Sequence, residues 1–243
     1  MEAVASAWAR NRADLLRFVR RLVLSPDVAE DIVQQAGNRA IAAMNTPSDE
    51  AGLRKWLFRI ASNLAIDELR RQGTWSETVL MESRSDAEND AGFVQKSEAM
   101  RATPEVAAIA RQHLAFCFAC TMRSLRPERA AALLLAEVYG FTLSETASIL
   151  SASHGQAKNW LQEARASLED RYAETCALVN KKGICYQCSE LSEFFNGHPE
   201  NPLEGSGGKL MDRARVVRAT DNLDLSAWHM LLVRLVERRS AKR

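Results

Sequence analysis

Aromatic side chains are scarce in this sequence: five Trp, three Tyr and eight Phe make up 7% of 243 residues, and only 11 Gly and six Pro interrupt the chain. With so few turn formers among abundant Ala, Leu, Arg and Glu, whose side chains lose little rotamer freedom in a helix, the expected fold class is all-α. There is no start with charged, apolar and small-residue segments in succession. No apolar run approaches the roughly 18 residues a membrane helix requires. The expectation is a cytoplasmic chain without a membrane partner. Net charge is only +1, so no global positive field is available to hold nucleic acid, and DNA contact has to come from local basic stripes. The sequence also lacks a phosphate-cradling glycine loop, a nucleophile elbow and a convincing acid–base pair, which argues against an enzyme.

What is present is segregated charge. Residues 10–21 carry Arg10, Arg12, Arg17, Arg20 and Arg21 against Asp14, whereas residues 77–90 carry Glu77, Glu82, Asp86, Glu88 and Asp90 against Arg84. The length suits two or three small domains. Leu15, Phe18, Val19 and Leu22 recur at helical spacing, then Val28, Ile32, Ala36 and Ala40 step by four after the breaker Ser25-Pro26. Beyond the loop-like Asn45–Asp49, Leu53, Leu57, Ile60 and Leu64 define the expected buried stripe of a third helix running to about Gln72. Residues 1–72 therefore read as one three-helix domain, and 73–104, where acids, Ser, Asn and Gly take over, as an acidic linker.

Residues 105–172 form a second helical domain. Pro127 stands where a first helical residue belongs, Gly140 is a natural left-handed cap, and Thr142-Leu143-Ser144-Glu145 has the form of a capping box. Ser153-His154-Gly155-Gln156 repeats that form after a short turn, and a helix continues through Lys158, Trp160, Leu161, Arg165 and Leu168. Two helices joined this tightly make a helix-turn-helix, a duplex-DNA reader in one reading and a plain helical hairpin in the other. Residues 173–243 form a cysteine-containing extension ending in an amphipathic helix with Leu223, Leu225, Trp228, Leu231, Leu232, Leu235 and Val236.

Two segments carry a resemblance. Leu53-Arg-Lys-Trp-Leu-Phe-Arg-Ile-Ala-Ser-Asn-Leu-Ala-Ile-Asp-Glu-Leu-Arg-Arg-Gln72 resembles the promoter-melting helix of extracytoplasmic-function (ECF) sigma factors, and Asp27-Val-Ala-Glu-Asp-Ile-Val-Gln-Gln-Ala36 resembles their core-polymerase-binding helix. The helix-turn-helix near residues 142–168 looks like their upstream-promoter reader. The resemblance implies a sigma region 2 domain over 1–72, a region 4 domain over 105–172, and a small helical tail module outside the common core. It implies a sigma factor that directs core RNA polymerase to promoter DNA, and it leaves room for an anti-sigma partner. The alternative is a free-standing helix-turn-helix regulator with a metal- or thiol-responsive tail. A simple repressor needs no melting helix, which weighs against it.

On this reading Arg59, Asn63 and Arg70, spaced four and seven apart and flanked by Asp67 and Arg71, form a polar stripe that holds phosphates through Arg and offers a base edge an amide. The resemblance also places Thr46–Gly52 and Trp56 near single-stranded DNA, with core packing the favoured role for Trp56. Asp27, Glu30, Asp31 and Gln34 are the polymerase-binding face, or else an ordinary solvated face. Gln156, Lys158, Asn159, Gln162 and Arg165 are the candidate duplex contacts, Lys and Arg suiting phosphate or guanine, Asn and Gln suiting adenine. Glu163 departs from the basic residue many relatives carry there and would repel phosphate.

Five cysteines, an odd number, fit metal or redox chemistry in a reducing compartment better than a disulfide framework. His113, Cys117 and Cys120 fall at i, i+4 and i+7 on one helical face, a spacing that resembles the zinc motif of anti-sigma proteins; Cys185 and Cys188 come later, beyond Cys176. Nothing requires a cofactor, and zinc is the ion such ligands would take, with the extension docking on the second domain through a shared metal or thiol site. The other reading makes Cys117 and Cys120 small buried hydrophobes among Leu114, Phe116 and Phe118.

Overall fold

The computed structural model describes residues 2–76, 106–176, 210–220 and 227–240, with isolated positions between 82 and 91. Every regular element among them is helical. In chain order these are α1 (Glu2–Val23), α2 (Pro26–Ala42), α3 (Glu50–Gln72), α4 (Val106–Met122), α5 (Pro127–Leu133) running into a π turn (Leu134–Val138), α6 (Leu143–Ile149), α7 (His154–Thr175), α8 (Leu210–Ala219) and α9 (Ala227–Ser240). They divide into two compact units: unit 1 comprises residues 1–74 and 125–164, unit 2 residues 75–124 and 165–243.

In unit 1, α1, α2 and α3 pack mutually, and α3 also packs on α5 and α6. Local chemistry sets the boundaries. The Ser25 hydroxyl accepts the Val28 N–H before α2, with Pro26 in the first turn, and the Asp49 carboxylate accepts the Gly52 N–H at 2.8 Å before α3. Gly73, at φ +75°, closes α3 by donating its N–H to the Leu69 carbonyl. Gly37 is needed for a different reason. A Cβ there would sit 2.7 Å from Trp8 Cζ2, so glycine lets the Trp8 ring of α1 lie against α2.

Leu15, Phe18, Val19 and Leu22 are buried as their spacing requires. The buried face of α3 lies elsewhere than expected: Leu53 and Leu57 are buried, but Ile60 and Leu64 are only half-buried, and Phe58, Ala61, Ala65, Ile66 and Leu69 complete the core face. A leucine-based stripe overlooks alanines, which let neighbouring helices come close to the α3 backbone. Trp56 is half-buried. Four rings knit the unit together. Phe58 lies 5.4 Å from Phe18, 5.4 Å from Tyr139 and 5.0 Å from Phe141, while the Arg54 guanidinium caps Phe141 at 4.3 Å.

Tyr139 accepts a hydrogen bond from Arg21 at 2.9 Å. Burial pushes its hydroxyl up to about 12, against the opposing pull of Arg21, from an unfolded value near 10. Because the folded value is the higher one, the stabilisation is complete below pH 10 and drains away as pH rises towards 12. Denaturation midpoints measured from pH 8 to 12 will fall in that window. Tyr139→Phe will remove part of the fall and leave the part due to Tyr172, whose hydroxyl burial also pushes above its ordinary range.

In unit 2, α8 packs on α4. Trp75 is 3% exposed, donates its N–H to the Arg123 carbonyl at 2.9 Å and has the Arg123 guanidinium 4.9 Å from its ring. Arg239 of α9 pairs with Glu82 at 2.8 Å and with Asp86.

Candidate nucleic-acid interface

The helix-turn-helix is built as its sequence grammar directs. Thr142 Oγ1 accepts the Glu145 N–H at 3.2 Å and the Glu145 carboxylate accepts the Thr142 N–H at 3.0 Å, completing the capping box that starts α6. The Thr142 bond holds the Glu145 carboxyl below the usual carboxylate range. Gly140, at φ +71°, provides the left-handed bend before it. The turn between α6 and α7 passes through Ser151 at φ +53°. Ser153 and Gln156 form a second reciprocal cap, at 3.2 and 2.9 Å. Gln156, expected to contact DNA, thus has its side-chain carbonyl engaged at the helix start. Only its amide donor is left for a base or phosphate.

Lys158, Asn159, Gln162 and Arg165 are all exposed on α7, while Ala157, Leu161, Ala164 and Leu168 of the same helix are buried. The expected duplex contacts therefore share the solvent side of one helix. Glu163 acquires a structural role that sequence reasoning missed: it pairs with Arg129 of α5 at 2.5 Å. The acid braces the recognition helix against α5.

On α3, Arg59, Asn63, Asp67, Arg70 and Arg71 are exposed. Two of the arginines are already engaged. Arg70 reaches Glu128 at 2.7 Å through Nη2 and Asp67 at 3.1 Å through Nη1, and Arg71 holds Glu68 at 2.5 Å. Asn63, Asp67 and Arg70 line an open groove of about 730 Å³ together with Arg39, Arg126 and Trp160. Arg39 and Arg126 were not among the expected contacts, because residues 39, 63, 126 and 160 share no local pattern. Their shared groove is tertiary.

Arg70 can hold a phosphate only by giving up Glu128. The Glu128→Gln variant is therefore expected to bind DNA several-fold more tightly at low salt, with the slope of log K against log salt steeper by about 0.9, one added phosphate contact. Fluorescence anisotropy on a promoter fragment across a salt series measures both. An unchanged slope would show that Arg70 does not touch phosphate.

On α2, Asp27, Asp31 and Gln34 are exposed and Glu30 is half-buried, paired with Arg12 of α1 at 3.0 Å. Ile41 and Met44, 57% and 98% exposed, extend this surface with apolar side chains. His113, Cys117 and Cys120 are buried on α4. Among the described residues no three His, Cys, Asp or Glu side chains stand close enough together to hold a metal ion. Cys185 and Cys188 lie outside the described residues. Among the described residues no helix is long and apolar enough to cross a membrane.

Residues 7–74 match the family model for Sigma-70 region 2 and residues 115–168 that for Sigma-70, region 4, together half of the chain. The chain is 28% identical over 170 residues to the ECF RNA polymerase sigma factor SigG of Mycobacterium tuberculosis, covering 65% of this chain and 45% of that relative. It is 27% identical over 226 residues to SigJ of the same species, covering 87% and 68%, and 24% identical over 145 residues to SigX of Bacillus subtilis, covering 60% and 71%. The chain thus spans less than half the length of SigG. With both sigma regions matched in order, one over the three-helix bundle and the other over the helix-turn-helix, the chain belongs to the sigma-70 family, in its extracytoplasmic-function group.

Proposed function

We propose that this chain directs core RNA polymerase to promoters, with α2 as the docking helix, α3 and its groove as the element that captures opened bases, and α7 as the reader of the upstream duplex. The observation that carries this reading is the pairing of two different polar surfaces in one chain. A helix-turn-helix with exposed Lys158, Asn159 and Gln162 suits duplex edges. The Asn63 groove, lined also by Arg39, Arg70, Arg126 and Trp160, has the cations to follow a backbone and a ring on which a base can stack. Arg59 and Asn63 are assigned to the opened strand, Arg70 and Arg71 to phosphate once released from their acids, and Gln156, Lys158, Asn159, Gln162 and Arg165 to the duplex. Asp27, Glu30, Asp31 and Gln34, with exposed Ile41 and Met44, are assigned to the polymerase.

Run-off transcription with core polymerase from the source bacterium, on a pool of its promoter fragments with and without the chain, tests this assignment. Transcripts that depend on the chain are expected, and Arg59→Ala, Asn63→Ala should remove them while duplex binding persists. No dependent transcript and no co-purification with core polymerase, with duplex binding retained, would make the chain a free-standing helix-turn-helix regulator.

A further inference from the structure

The largest fully buried side chain among the described residues is a cation. Arg213 of α8 is 2% exposed, lies 3.9 Å from the centre of the Tyr172 ring and donates through Nη2 to Cys176 Sγ at 2.9 Å. Cys117 lies buried on α4, the helix against which α8 packs, and couples electrostatically to both Arg213 and Tyr172. Cys176 and Cys117 are 3% and 6% exposed. A guanidinium withdrawn from water is costly unless an anion and hydrogen bonds replace its hydration. Among the described residues no carboxylate pairs with Arg213, and its Nη1 has no hydrogen-bond partner. Tyr172 is held neutral by burial. The sulfur of Cys176 is then the nearest described group that can supply the charge, and a charge-assisted contact of this kind favours the nucleophilic form of a thiol. The same cation opposes a metal ion at that sulfur.

We propose that Cys176 is an oxidation site, its sulfur activated by Arg213 to react with a hydroperoxide and then to close a disulfide with Cys117. In the first step the Cys176 sulfur attacks one peroxide oxygen, the O–O bond breaks, and the leaving alkoxide or hydroxide departs as alcohol or water after taking a proton. Sulfur loses two electrons and becomes a sulfenic acid. In the second step the Cys117 sulfur attacks the sulfenic sulfur, the S–O bond breaks, and hydroxide leaves with the Cys117 proton as water. Two thiols and one hydroperoxide give one disulfide, one alcohol or water, and one water. The product carries no charge, so Arg213 loses its anion and α8 loses its polar anchor on Cys176. Both sulfurs are reached by local opening of α8, a ten-residue helix.

The test uses the full reduced chain, pretreated with a chelator, exposed to a few equivalents of hydrogen peroxide, alkylated and mapped by mass spectrometry without reduction. The expected product is a peptide pair joined through Cys117 and Cys176. In Cys117→Ser, a sulfenic-acid trap is expected to mark Cys176. Arg213→Met, checked by circular dichroism, should slow Cys176 oxidation at least tenfold, and Arg213→Lys less than that. Amide hydrogen exchange across α8 should rise on oxidation of the wild-type chain. Oxidation of Cys185 and Cys188 with Cys176 left untouched, or Cys176 joined to another cysteine, would overturn the proposal whatever the variants do. So would an Arg213→Met chain, folded, that oxidises as fast as wild type.

Discussion

Phe58→Ala is expected to destabilise unit 1 by about 3–5 kcal/mol, the range for truncating a buried phenylalanine, and to do so across the whole unit. Phe58 is 0% exposed and its ring meets Phe18 of α1, Tyr139 after the π turn and Phe141 before α6. Each edge-to-face contact adds about 0.5–1.5 kcal/mol beyond the area buried. Removing the ring also withdraws one of the two aromatic faces beneath Arg54. The three-helix bundle and the helix-turn-helix share this one ring, so they should lose stability together. Denaturant unfolding followed by circular dichroism and by tryptophan fluorescence would show coincident transitions shifted to lower midpoint. A loss under 1 kcal/mol, or a helix-turn-helix that melts separately while the bundle is unaffected, would contradict a shared core. Since a domain of this size is stable by only about 5–15 kcal/mol, the variant should lose a large share of its stability.

On the recognition helix, replacing Asn159 and Gln162 together by alanine should weaken specific duplex binding by roughly 30-fold or more, since each bidentate amide–base contact discriminates by about 1–3 kcal/mol. Both side chains are exposed and three residues apart, hence adjacent on the outer side of α7. The salt dependence should stay as it was, because amides release no counterions. Lys158→Ala should do the converse, lowering affinity for every sequence and flattening the salt slope by about 0.9. Titrations of specific and scrambled duplexes at several salt concentrations separate the two effects. If the double variant lowers both duplexes equally, α7 holds backbone and reads no base.

Much of this was legible from residue order alone. Helix starts followed from the breaker Ser25-Pro26, from the loop-like Asn45–Asp49 and from the capping box Thr142–Glu145, the last because capping is a contact over three residues. The core of α1 followed from period, and the matched sigma regions fall where the Leu53–Gln72, Asp27–Ala36 and 142–168 segments were read. The buried face of α3 was misplaced by one residue's rotation, roughly 100°, because Ala61, Ala65 and Ser62 reveal their burial only through the neighbours that reach them. The π turn at 134–138 carries no sequence mark either; it arises in a run of Ala and Leu that is equally good α-helix.

The candidate interface divides in the same way. Which side chains could touch DNA was readable from spacing and charge. Which of them are committed elsewhere was not: Arg70 to Glu128 across 58 residues, Glu163 to Arg129 across 34, and Gln156 to its own helix cap. By itself the sequence determined an all-helical chain, its caps, its helix-turn-helix and its family, because those depend on contacts a few residues long. Only the tertiary structure decided that Arg39, Asn63, Arg126 and Trp160 line one groove and that a buried guanidinium sits against Cys176. Such pairings depend on how distant helices pack, and local periodicity carries no record of that.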